Sequence, residues 1–222
     1  MPAIKRLGAC AIAAVGAFAC AAASATTTNN VLNANPGPAN NGGSVNWAMF
    51  FDVTATGALP IEITHLTTAS NATAGSGLAF EVWVRDGSGL GGPANSGPGS
   101  DPAGWSLLGV ANGVQGPVSS GVSELIDIPN IFIGAGDTVG VALRFTVAGP
   151  RYFGTGAPPY GVYNDGNLML TTGDVRSVPF TTGGSFFSSR ELVGELHYKI
   201  IPTPGAAALF GLCGLAAARR RR

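Results

Sequence analysis

Few residues in this chain could do chemistry. There are two histidines, His65 and His197. A serine hydrolase triad would need one of them, and no Gly-x-Ser-x-Gly elbow accompanies either. Both are expected as half-exposed strand residues. Metal-ligand spacing of the Cys/His type is absent. Glu81, Glu124, Glu191 and Glu195 could supply the two carboxylates of a glycosidase, but nothing in their spacing selects a pair. No catalytic residue, metal or cofactor is therefore expected. Asn164-Asp165-Gly166-Asn167 and Asp86-Gly87-Ser88 offer oxygen ligands for calcium; neither fits the EF-hand pattern, and turn formation accounts for both. Trp83, Trp105, Tyr160 and Tyr163, with Tyr152, could form a stacking platform for an extracellular polysaccharide, with core packing as the competing role. Asn71-Ala72-Thr73 is a glycosylation sequon, informative only in a eukaryote.

Composition says what would position such groups. Only 11% of residues are charged, and 34 of 222 are glycine. Glycine costs a helix interior about 1 kcal/mol relative to alanine, so strands joined by Gly-rich turns are expected. Disorder is the competing reading, but 45% apolar residues are enough for a packed core. Six of the twelve basic residues, Lys5, Arg6 and Arg219 to Arg222, lie at the ends. The other six, Arg85, Arg144, Arg151, Arg176, Arg190 and Lys199, face all twelve acidic residues, so the body carries a net −6. That leaves no basic footprint for nucleic acid. The three cysteines, at 10, 20 and 213, all fall in the end segments.

Residues 1–25 have the layout of a secretory signal peptide: Lys5 and Arg6, an apolar run from Leu7 to Ala22, and the small-x-small site Ala23-Ser24-Ala25. Signal peptidase would act after Ala25. A buried N-terminal helix is countered by the polar run Thr26 to Asn30. A lipoprotein signal acylated at Cys20 is countered by Phe18 and the missing leucine. At the other end, Pro202-Thr203-Pro204 precedes 14 mainly apolar residues, Gly205 to Ala218, and then Arg219-Arg220-Arg221-Arg222. As a helix those 14 residues span about 21 Å, against a hydrocarbon core of about 30 Å. The four arginines should stay on the cytoplasmic side. The two prolines keep the preceding stretch extended, as a membrane-embedded protease would require of a substrate. The segment is expected as a temporary hold on the inner membrane; a permanent anchor and a C-terminal helix packed on a soluble domain are the competing readings.

Between the ends, residues 26–45 are expected as a mobile or loosely packed polar lead-in, and 46–201 as one domain. Strands are expected at 47–54, 61–67, 78–85, 105–111, 122–128, 131–133, 138–147, 160–163, 168–172 and 192–200, with Phe186-Phe187 before the last. Phe80, Val82 and Val84 alternate with Glu81, Trp83 and Arg85. Asp86 to Gly104 is too rich in Gly, Pro and Ser for regular structure and must be a surface loop. Asn164 to Asn167 should turn a hairpin. About ten short strands without a convincing helix predict an all-β chain, a single antiparallel β-sandwich of jelly-roll type. A signal helix and a short transmembrane helix would flank it.

Two resemblances bear on function. The body is similar to a family of bacterial secreted β-sandwich domains of the choice-of-anchor type. The likeness rests on Met49-Phe50-Phe51-Asp52-Val53, Phe80 to Arg85, Gly104-Trp105-Ser106-Leu107-Leu108-Gly109, Ile133 to Thr138 and the hairpin Tyr163 to Gly173. It implies a surface protein with no assigned catalysis. The tail resembles the PEP-CTERM sorting signal, with Thr203 where that family carries glutamate. It implies an exosortase-like membrane protease as partner, and a membrane-held precursor that ends at the cell surface or outside the cell.

Overall fold

A computed structural model describes residues 29–156 and 159–202. The signal segment with Ala23 and Ala25, and the sorting segment from Thr203 to Arg222, lie outside the described residues, as do both expected flanking helices. Pro202 is half-buried at the end of the described chain. Among the described residues no helix is long and apolar enough to cross a membrane.

Thirteen strands follow one another in the described chain: β1 (Asn29–Ala34), β2 (Asn41–Gly42), β3 (Ala48–Ala55), β4 (Ile61–Leu66), β5 (Gly77–Asp86), β6 (Ser106–Val114), β7 (Ile126–Ile133), β8 (Thr138–Phe145), β9 (Arg151–Gly154), β10 (Val162–Asn164), β11 (Leu168–Arg176), β12 (Phe186–Glu191) and β13 (Gly194–Ile200). A single 3-10 turn covers Pro98–Ser100. The strands form a four-stranded sheet in the order β1-β13-β4-β7 and a larger one in the order β2-β9-β12-β11-β3-β8-β5-β6, with β10 beside β11. All these strand pairings are antiparallel. The chain is all-β and sandwich-like.

The main core lies between the two sheets. The four-stranded sheet contributes Leu32, Ile61, Ile63, Ile133, Leu196 and Tyr198; the larger sheet contributes Met49, Phe51, Phe80, Val82, Leu143 and Phe145. These are alternate residues of each strand, as a period of two requires. The expected face of β5 is observed: Phe80 and Val82 are fully buried and Val84 packs beside them.

Three departures have physical causes. The expected lead-in is not loose where it is described, because β1 pairs with β13 and buries Leu32 and Ala34. The end of the expected strand 122–128, from Ile126, and the expected strand 131–133 are one strand, β7, which runs through Pro129, while Val122 and Ser123 make only isolated bridges. β7 is a sheet edge, where a missing N–H can be left off the ladder. Most consequentially, β3 is buried on both faces. Ala48, Phe50, Trp105 and Ala142 form a second apolar cluster, joined by Trp83, Leu90 and Phe180. The segments 87–105 and 177–185 are folded down over that face.

Candidate functional site

The outer face of the larger sheet, beneath these two segments, gathers three buried charged side chains, Asp52, Asp174 and Arg176. Asp52 and Asp174 sit on the paired strands β3 and β11, 8% and 1% exposed. The pairing register shifts between Thr172 and Asp174. A Cβ on the intervening Gly173 would land on the Phe50 carbonyl oxygen, so only glycine allows this approach. Beyond the bulge Val175 enters the main core, while Asp174 and Arg176 face the Gly-rich loop.

Each of these side chains holds that loop by its backbone. Asp52 accepts from the Ser88 hydroxyl at 2.5 Å and from the Gly89 N–H at 2.7 Å. Asp174 accepts from the Gly91 N–H at 2.7 Å and from the Tyr160 hydroxyl at 3.1 Å. Arg176 donates to the carbonyls of Ala94 at 2.8 Å, Gly91 and Ser96 at 2.9 Å, and Pro93 at 3.3 Å. Its guanidinium also lies 4.8 Å from the Phe186 ring centre. The loop has no ladder of its own, and these groups satisfy backbone atoms that burial would otherwise leave unpaired.

Burial is the strongest influence on every charge here. It raises Asp52 above the ordinary carboxylate value, against the opposing pull of Ser88, Gly89 and the charge of Arg85. It raises Asp174 likewise, opposed by Gly91, Tyr160 and Arg176 and reinforced by Asp52. Tyr160 is pushed up to about 12 by burial and then by Asp174. Burial lowers Arg176, and Asp174 holds it up. A general acid or base needs an oxygen aimed at substrate; the oxygens of both carboxylates are already engaged within the fold. Neither lines the cleft of about 540 Å³ beside Gly43, Asn71 and Val147, nor that of about 270 Å³ beside Val84, Leu108 and Phe132. The arrangement is a clamp.

The four aromatic candidates do not form one platform. Trp83 and Trp105 meet through Phe180, with rings tilted 45° and 60° to it at 4.8 and 5.4 Å. Trp105 is buried, and its Nε1 donates to the Pro98 carbonyl at 2.9 Å. Tyr160 is tied to Asp174, whereas Tyr163 packs against the main core and donates to Glu191 at 2.7 Å. Tyr152 is buried in the main core. Sugar stacking wants flat, open rings, and these are tilted against one another or engaged inside the fold.

The other candidates disperse. Glu81 accepts from Trp83 Nε1 at 2.8 Å and pairs with Arg144 at 3.3 Å. Glu124 is exposed, and Glu195 contacts His197. In the 164–167 turn, Asp165 accepts from the Asn167 and Leu168 N–H groups at 3.0 Å and from the Tyr198 hydroxyl at 2.7 Å. Ser88 serves Asp52. His65 and His197 lie on the outer face of the four-stranded sheet, directly opposite each other. Among the described residues no group of three or more His, Cys, Asp or Glu side chains could hold a metal ion.

Sequence reasoning singled out neither Asp52, Asp174 nor Arg176. A signal existed: Asp52 interrupts the apolar run Met49 to Val53, where a solvent-facing neighbour would be expected to be polar too. The chain matches no known protein family and no curated protein.

Proposed function

We propose that this chain is an exported, non-enzymatic bacterial cell-surface or extracellular-matrix protein, held and then trimmed through its C-terminal sorting segment. The observation that carries the reading is the order of the last residues: Pro202-Thr203-Pro204, a 14-residue apolar run and four arginines. A signal-type segment at the opposite end complements it. The position of the domain boundary supports it too. β13 is an interior strand of the four-stranded sheet, and the Ile201 N–H donates to the Pro60 carbonyl at 2.8 Å. Backbone anchoring thus extends to the residue before the Pro-Thr-Pro motif, so cleavage there would leave the sandwich whole.

The domain itself is a jelly roll in this reading. In its favour, β1-β13-β4-β7 and β3-β8-β5-β6 are the strand orders of two interleaved Greek keys, with β2 and β9 to β12 added on one side. The commitment of Asp52 and Asp174 to the loop fits a scaffold role. The test is mass spectrometry of surface-extracted protein in its native host. Mature protein lacking Arg219 to Arg222 is expected, with uncut, membrane-held protein when Pro202 and Pro204 are both replaced by alanine. Unchanged processing of that variant would refute the trimming.

A further inference from the structure

Most of the large apolar side chains left in solvent come from one part of the chain. Among the described residues thirteen are exposed, and eight of them fall in the stretch from Leu107 to Phe132. Leu107, Leu108, Val110 and Val114 lie on β6, the end strand of the larger sheet, and Phe132 on β7, an end strand of the smaller one. The two strands pack on each other: a Cβ on Gly113 would meet the Ile126 side chain, and one on Gly109 the Pro129 ring. The other sheet ends are blunted. β2 has two residues, β7 carries Asp127 and Pro129, and three of the six residues of β1 are asparagine. β6 runs for nine residues with neither a charge nor a proline, the usual guards of an edge.

The backbone of β6 has a definite pattern of open groups. On β5, the Ala79 carbonyl accepts from the Thr146 N–H at 2.8 Å, on the side away from β6. Ala79 and its opposite residue Asn112 are thus a non-hydrogen-bonded pair, and Asn112 turns its N–H and C=O away from β5. By alternation Val110 and Val114 do the same. The Val114 carbonyl accordingly accepts from the Glu124 N–H at 2.9 Å. Beyond Val110 and Asn112 no strand of the described chain follows. At the other end the register with β5 shifts beside Gly109, and such a bulge bends the strand. The open stretch is therefore Gly109 to Gly113, with Ala111 at its middle.

We propose that this edge pairs with the same edge of a second copy, β6 antiparallel to β6, about a two-fold axis at Ala111. That register uses every outward group of the open stretch. Val110 meets Asn112 of the second copy, and Asn112 meets its Val110, each pair exchanging both N–H···O=C bonds. The two Ala111 residues form the close pair between them, with Cα atoms about 4.5 Å apart, which suits a methyl side chain. Moving the axis to Asn112 would set the second copy against Glu124. The surface is self-complementary, as a two-fold contact requires. Charge points to the same partner. The net −6 of the body opposes association through its charged surfaces, whereas β6 brings no charge to the axis and offers none for a foreign peptide to recognise. Pairing makes one continuous sheet of the two larger ones and withdraws Val110 from water.

Sedimentation velocity of the full chain in a density-matched mild detergent tests the pairing. A dimer is expected. V110K puts like charges about 7–8 Å apart across the axis, and should weaken the dimer at least tenfold while its unfolding transition persists. Hydrogen exchange reads the register in the wild type. The Val110 and Asn112 amides should be protected in concentrated protein and exchange at least tenfold faster after dilution to monomer, while the Ala111 amide, which faces β5, stays protected in both. Should V110K lose its unfolding transition, the wild-type exchange decides alone. A wild type that is monomeric up to its solubility limit, a V110K protein as dimeric as wild type, or fast exchange at Val110 and Asn112 within the dimer overturns the proposal.

Discussion

Arg176 and Gly91, 85 residues apart, are joined at 2.9 Å through the Arg176 Nη2 and the Gly91 carbonyl oxygen. The Gly91 N–H goes to Asp174, two residues back on the same strand. One strand thus takes both polar groups of a single loop residue. Residues 87–105 contain no strand, yet they lie over Phe50 and Ala142 and turn the outside of the sheet into a second interior. Burying an arginine and two carboxylates is unfavourable in itself. It is offset here because backbone dipoles that would otherwise be orphaned become their partners.

Removing the guanidinium should therefore free the loop without unfolding the sandwich. R176A is expected to cost about 2–4 kcal/mol in urea unfolding, since hydrogen bonds to a charged group carry about 1.5–3 kcal/mol each and water recovers part of them. R176K should recover less than half, because an ammonium cannot reach four carbonyls in a planar fork. Hydrogen exchange should rise at Gly89 and Gly91 in both variants. Wild-type protection there would show that Asp52, Asp174 and the apolar contacts hold the loop without Arg176.

The all-β class, most strand positions and the faces of β5 and β8 follow from period-two alternation, because those strands have one face on the main core. The clamp was not legible in the same way. Asp174 and Arg176 alternate with Val175 as solvent-facing residues would, and only the descent of a loop far away in sequence buries them. β1 was missed because its Asn-rich sequence carries just Leu32 and Ala34 inward, and its pairing with β13 joins opposite ends of the described chain. The opposition of His65 and His197 is likewise a product of register, which no local spacing encodes.

The clamp predicts an unusual pH dependence. The folded-state pKa of Asp174 is raised above the unfolded value, mainly by burial. Its contribution to stability is thus fully present below the unfolded pKa of about 3.9, and is lost as pH rises through the folded value. D174N removes this titration while keeping an acceptor for Gly91 and, after rotation of the Tyr160 hydroxyl, a partner for that side chain. The stability difference between wild type and D174N should move in favour of wild type as pH falls through the folded pKa toward that limit. Chemical denaturation from pH 7 to pH 4 measures it. Movement the other way would mean that the hydrogen bonds to the carboxylate outweigh its desolvation.

Gly173 gives a test of the bulge. A methyl group there meets the Phe50 carbonyl oxygen, so β11 and β3 must separate or shift. G173A is expected to lose about 1–3 kcal/mol, the usual range for overpacking. Thermal unfolding measures the loss, and a G173A protein as stable as wild type would mean that the two strands part easily at this point.

Phe180 separates a scaffold from a sugar-binding face. Its ring contacts Phe50, Trp83 and Trp105, and its N–H donates to the Gly99 carbonyl at 2.8 Å, so it pins both covering segments at once. F180A should cost about 2 kcal/mol, less than a fully buried phenylalanine because Phe180 is half-exposed. It should also red-shift tryptophan emission and raise iodide quenching, as Trp83 and Trp105 gain contact with water. If the cluster serves packing alone, wild type and F180A should both be silent on an array of extracellular polysaccharides. Saccharide binding by the wild type that F180A abolishes would instead make the aromatic cluster a recognition surface and the covering segments its walls.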